Sequence, residues 1–181
     1  MTVTSTNLIQ GPATLYLATF GATEPLTITD APLAPAWRDL GGTKDGVTLN
    51  VETEYGVLEV DQIVDEVERR RTKRIVSVAT AMAEATLENL AVAINNAGPV
   101  DGVMEADDGL AAFSPGYSAV ILDGIAPGGK RRRVIVRKAL ATEAVEMAYK
   151  KDDQTLIPVT FTGHWVSASI RPFSIEDEPT A

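Results

Sequence analysis

Trp37-Arg38-Asp39-Leu40-Gly41-Gly42-Thr43-Lys44-Asp45-Gly46 opens the stretch that decides the fold, and Val47-Thr48-Leu49-Asn50-Val51-Glu52-Thr53-Glu54-Tyr55 follows it directly. The first segment reads as a compact turn, with Trp37 and Leu40 as apolar anchors in the core. In the second, Val47, Leu49, Val51, Thr53 and Tyr55 alternate with Thr48, Asn50, Glu52 and Glu54. This period of two belongs to a strand with one face on a core and the other in water. Val57 to Gln62 continues as strand or hairpin arm. From Asp65 to Arg74 both faces are polar, so this part cannot lie over a core and must project beyond it, as a hairpin tip or an edge. The chain turns apolar again at Ile75-Val76-Ser77-Val78-Ala79. A bare two-stranded projection is marginal in water, and open strand edges invite pairing with other chains. The expectation is a projecting hairpin that becomes ordered against a neighbouring copy.

One helix is expected, over Met82–Asn95, where Leu87, Leu90, Ala91 and Ile94 stand at i, i+3, i+4 and i+7. Asn95-Asn96-Ala97-Gly98-Pro99 stops it. A helix this short is unstable alone and must lay its apolar stripe on a sheet. Upstream, Ala13–Phe20 reads as a first strand, and Pro25, Pro32 and Pro35 make Glu24–Pro35 a loop. Downstream, Asp101–Pro115 reads as an acidic loop. Strands follow at Tyr117–Ile125, Lys130–Leu140, Glu143–Lys150 and Leu156–Trp165, with turns at Ala126–Gly129 and Lys151–Gln154. Phe161 belongs to the closing core face. Three parts result: a polar arm at 1–11, a single domain at 12–170, and a flexible acidic tail at 171–181.

Length and composition bound the function. A chain of 181 residues suits one sizeable core. There are no cysteines and one histidine, so thiolate and histidine-cluster metal sites are excluded. No apolar run reaches the length of a membrane helix, and no secretion signal is expected at the N-terminus. A net charge of −9 argues against ordinary nucleic-acid binding, which draws its affinity from a basic surface. The charges are segregated: eleven of the 16 Lys and Arg lie in Arg69–Arg74 and Lys130–Lys138, and seven acids lie in Glu52–Glu68. Solvated strand faces would account for this, and so would complementary surfaces that meet between subunits.

Catalytic patterns are weak throughout. Ala126-Pro127-Gly128-Gly129-Lys130 lacks the phosphate-loop spacing and no helix follows it. His164 sits in a strand beside Trp165, with no motif around any serine. The acids Asp101, Glu105, Asp107 and Asp108 lack the spacing of a calcium loop. The basic strand Lys130–Lys138 has no interleaved aromatics for stacking single-stranded nucleic acid. No enzyme activity, cofactor or metal is expected.

Several pieces, taken in order, carry a resemblance. They are Trp37-Arg38-Asp39-Leu40-Gly41 with Thr43-Lys44-Asp45-Gly46-Val47, then Val60-Asp61-Gln62 leading into Asp65–Arg74. Next come Ala83-Glu84-Ala85-Thr86-Leu87-Glu88-Asn89-Leu90, and Asp152-Asp153-Gln154 through Pro158-Val159-Thr160-Phe161. Over residues 10–165 the chain resembles the major tail (tail tube) proteins of siphovirus-type bacteriophages, in particular those of phages infecting actinobacteria.

The resemblance implies a mainly β (α+β) fold: a β-sandwich or barrel-like domain with one flanking α-helix and a long projecting β-hairpin. It implies a structural virion protein, made in the host cytoplasm, whose hexameric rings stack into a tube that conducts genomic DNA. Its partners would be further copies of itself, the tape measure protein, and the tail terminator and distal tail or baseplate proteins, with DNA passing transiently and no membrane. Glu52, Glu54, Glu59 and Glu66 are then expected to line the lumen, where like charge keeps the genome from sticking. Asp61, Gln62, Arg69, Arg71, Arg74, Arg131 and Arg133 are expected at subunit or ring interfaces. Trp37, Leu40, Leu87, Leu90, Ile94 and Phe161 are expected in the core. The competing readings are a tail terminator or distal tail ring protein, a β-rich peptide- or ligand-binding module using Trp37 or Trp165, and a hydrolase using His164.

Overall fold

The computed structural model describes residues 3–32, 35–107 and 113–179. Asp108 of the acidic run, the first two residues of the arm and the last two of the tail lie outside them. The described elements are β1 (Thr14–Thr19), β2 (Arg38–Asp39), β3 (Thr43–Leu58), β4 (Glu68–Met82), α1 (Leu87–Ala93), β5 (Ser118–Ala126), β6 (Lys130–Ala141), β7 (Ile157–Gly163) and β8 (Phe173–Asp177). The fold is mainly β. One antiparallel sheet runs in the order β2-β1-β5-β6-β7-β4-β3, with β8 also paired to β6.

The sheet curls until its two ends meet. β2 stands at one edge and β3 at the other, yet only residues 40–42 separate them. The four steps from Asp39 to Thr43 span about 14 Å at most, so the two edges come near each other at this corner. The Leu40 N–H donates to the Leu15 carbonyl on the β1 side, and the Ala83 N–H donates to the Gly42 carbonyl on the β4 side. The turn motif of the sequence is therefore a seam. Trp37 donates its indole N–H to the Thr23 carbonyl at 2.8 Å. Asp39 Oδ1 accepts from the Gly41 N–H, and Glu84 Oε1 from the Gly42 N–H. Gly41 has φ +83, and a Cβ there would lie 2.3 Å from Glu84 Oε1. Only glycine fits without strain.

The curled sheet encloses a core built from β1, β4, β5, β6 and β7, with Leu15, Val78, Val120, Val136 and Phe161 among its buried members. A second, smaller cluster lies on the outer side of β1, β5 and β6, where Trp37 packs with Ile121 and Ile135. The segment from Glu24 to Asp30 covers that outer face, held by arginines of β6. Arg133 forks onto Asp123 at 2.6 and 2.7 Å and donates to the carbonyls of Thr27 and Asp30. Arg131 donates to the carbonyls of Ile28 and Thr29, and Arg137 forks onto Glu24.

Three sequence expectations change. The helix is shorter than Met82–Asn95, because Met82 still belongs to β4 and the Thr86 side chain caps α1 by accepting the Asn89 N–H. Asn95 has φ +54 and ends it, while its amide exchanges bonds with the backbone of Ala141. The buried stripe of α1 is Asn89, Ala91 and Ala93, so Leu87 (38% exposed) and Ile94 (45%) point outward and Leu90 is half-buried. Small side chains let the helix sit close to the sheet. Glu143–Lys150 is not a strand: Val145 and Met147 pack on the core, but no ladder forms. Alternation reports burial, and here burial comes without strand pairing. The tail expected to be flexible contains β8, whose Phe173 packs on the core.

Candidate assembly surface

β3 and β4 pair antiparallel along nearly their whole length, from Thr43↔Met82 to Leu58↔Glu68. β7 covers β4 only from Ser77 to Met82. Beyond that point no other strand among the described residues pairs with the hairpin, and both of its flanks carry unpaired backbone.

Register assigns the side chains to two faces, because partners across an antiparallel pair share a face. Leu49↔Val78 and Val51↔Val76 lie on the core face, with Val76 and Val78 buried. Thr53↔Arg74 follows on the same face, and the Arg74 guanidinium stacks 5.2 Å from the ring centre of Phe173. A bulge comes next. Glu54 pairs with Lys73 and Tyr55 with Arg71, which leaves Thr72 as the extra residue. Bulges re-aim the strand that carries them. Here the bulge puts Arg71 and Arg69 on the face of Arg74, together with Tyr55 and Val57, whereas unbroken alternation would have split them. Gly56 pairs with Arg70, and a Cβ on it would lie 3.0 Å from Cγ2 of the bulged Thr72.

Asn50, Glu52 and Glu54 occupy the other face, with Ser77, Ile75 and Lys73 as partners. The Lys73 ammonium donates to Glu54 at 3.1 Å. The arginines expected at an interface and the two strand glutamates expected on a lumen thus lie on opposite faces of one hairpin.

The tip between Leu58 and Glu68 is both charged and apolar. Val60, Ile63, Val64 and Val67 are all exposed there, as are Glu59, Asp61, Gln62 and Asp65. Four exposed aliphatic side chains on one short loop are a patch that a partner would cover. Glu66 and Arg69, expected on different surfaces, pair with each other. Their hydrogen bond holds the Glu66 carboxyl below its ordinary range.

The remaining site residues go elsewhere. Arg133 is 1% exposed and commits its guanidinium inside the subunit, so it is an interior residue and not the surface residue its charge suggests. Arg131 also spends its cation on carbonyls of its own chain. Trp37, Leu40 and Phe161 are buried. The His164 ring meets Tyr117 edge-on at 5.3 Å, and its buried Nε2 has no hydrogen-bond partner among the described residues. Trp165 is exposed on the surface.

Sequence reading did not find the edge contact at β6. There, β8 pairs from Arg132↔Asp177 to Val136↔Phe173. Arg132 forks onto Asp177 at 2.6 Å twice, and that hydrogen bond lowers the Asp177 carboxyl below its ordinary range. The only hint was compositional: a basic run at 130–133 and an acidic run at 176–178.

A family model described as phage tail tube protein matches residues 2–171. The chain belongs to the phage tail tube proteins. The match takes in the seam, the whole hairpin, α1 and every strand except β8. Comparison with curated proteins gave no match. A tail tube protein is a structural component of the phage tail and works by assembling with copies of itself. The hairpin, with two open flanks and an exposed aliphatic tip, is a part of this tail tube subunit that the described residues of its own fold leave uncovered.

Proposed function

We propose that the chain is the repeating subunit of a siphovirus-type tail tube, stacked as hexameric rings, through which the genome passes into the host. The observation that carries this reading is the hairpin that continues past the body with no strand among the described residues on either flank. Such a projection is marginal alone and gains partners when copies associate. In this reading Arg69, Arg71 and Arg74, with Asp61 and Gln62 at the tip, meet neighbouring subunits. Glu52 and Glu54 on the opposite face, with Glu59 and Glu66 nearer the tip, turn to the bore and repel DNA phosphate. The tape measure protein would fill the bore before ejection, and terminator and distal tail proteins would cap the two ends.

Negative-stain microscopy of the concentrated purified protein tests the reading. Tubes, or rings passing into tubes, are expected. A protein that stays monomeric at every concentration and is missing from virions would defeat it. A terminator or distal tail protein would form rings and no filament.

A further inference from the structure

We infer that the N-terminal half of β6 is a strand-accepting edge, and that β8 is a guard that fills it and keeps a second copy of this chain from adding there. The inference rests on the self-assembly reading and names a surface from which assembly is kept away.

β7 and β8 run in the same direction along one side of β6. β7 pairs with Ala139–Ala141 and β8 with Arg132–Val136. The residues between and beyond complete the cover. The His164 N–H donates to the Lys138 carbonyl, the Arg137 N–H to the Pro172 carbonyl, and the Glu178 N–H to the Arg131 carbonyl. Lys130 reaches the Pro179 carbonyl at 2.7 Å. Without the segment after Arg171, the backbone of β6 from Arg131 to Arg137 would be open along this side.

An open β6 would be a hazard of a particular kind. It would present an extended edge with Lys130, Arg131 and Arg132 at one end, and the molecule itself carries the matching strand. β3 has an unpaired outer flank bearing Glu52 and Glu54. Backbone pairing and charge would together favour a neighbour's β3 docking on β6.

β8 replaces this edge with a poor one. It has five residues, lies between Pro172 and Pro179, and bears Glu176 and Asp177 with Glu178 just beyond. Short length, acidic side chains and flanking prolines are the features that make a sheet edge unreceptive. The family match ends at residue 171, just before this strand. The acids of the new edge also cover the basic end of the old one: Asp177 neutralises the Arg132 guanidinium, and Glu178 accepts the Arg131 backbone N–H.

The test compares the full chain, a chain ending at Pro172, and a full chain with Asp177→Arg, by circular dichroism, sedimentation velocity and negative stain. The shortened chain should fold and associate irregularly at about tenfold lower concentration than the full chain. Excess peptide corresponding to residues 173–179 should reverse this. Asp177→Arg should shift association in the same direction, more weakly. A folded shortened chain with unchanged association would overturn the inference. If shortening prevents folding, Asp177→Arg decides: faster hydrogen exchange in β8 with unchanged association would overturn it equally. Failure of the full chain to form tubes bears on the tube reading alone, since irregular association of the shortened chain is read against the full chain in either case.

Discussion

At the scale of single residues, the ion pair of Arg133 and Asp123 shows how an apparent surface charge becomes an interior one. Arg133 is 1% exposed and Asp123 12%, and the arginine also donates to two backbone carbonyls. An intact buried pair contributes little net stability, but removing one partner strands the other. Arg133→Met should therefore lower unfolding stability by about 3–5 kcal/mol, measured by urea denaturation. Arg133→Met with Asp123→Leu should recover most of that loss. A single variant as stable as the parent would show that the carboxylate finds water or another donor. The sequence displays the run Arg131-Arg132-Arg133 plainly, and strand alternation separates Arg132 from its two neighbours. What it cannot display is the cover on the side of Arg131 and Arg133. Ile28 to Asp30 lies about a hundred positions away in the chain, and no local pattern records that contact. Asn89 is a similar case. A polar residue of the helix, it is 2% exposed and donates to the carbonyls of Leu40 and Glu84, which ties α1 to the seam.

At the scale of elements, the hairpin was legible and its surroundings less so. The alternation of Val47–Tyr55 located β3, and polar residues on both faces of 65–74 located the projection. The bulge left no trace in the pattern, although it decides which arginines act together. Reversing Arg69, Arg71 and Arg74 to Glu should leave a folded monomer that no longer grows tubes, scored by circular dichroism and negative stain. The local cost is small, because the contact Arg74 makes with Phe173 is a cation–π interaction worth about 0.5–1 kcal/mol at an exposed site. Tubes of normal length from this variant would remove the arginine face from the interface. The helix was overextended at its N-terminal end because Met82 fits a helical pattern yet pairs with Thr43 in β4, and Ala83 donates its N–H to the Gly42 carbonyl. Tertiary pairing prevailed over propensity there. β8 was missed because its acids and prolines describe an unstructured tail until the basic edge beside it is known.

At the scale of the whole molecule, the proposed assembly gives the two opposed hairpin faces different duties. Glu52→Lys with Glu54→Lys should leave tube assembly intact while impairing DNA ejection, measured as genome release from virions that carry the variant. The Glu54–Lys73 bridge lost in this variant is exposed and stabilises little. Normal ejection would place those carboxylates away from the bore. Sequence order made the body readable as β-rich. The curl that brings β2 to β3 was not readable, since it depends on which strands neighbour one another and not on what each contains.

The two open flanks of the hairpin belong to different strands, β3 on one side and β4 on the other. A copy that gives its β3 flank to a neighbour's β4 flank still has its own β4 flank to offer. Contacts of this kind are heterologous: they repeat in one rotational sense and end only by closing a cycle or climbing as a helix. A two-fold dimer would instead have to use the same flank twice, leaving the other flank of both copies bare.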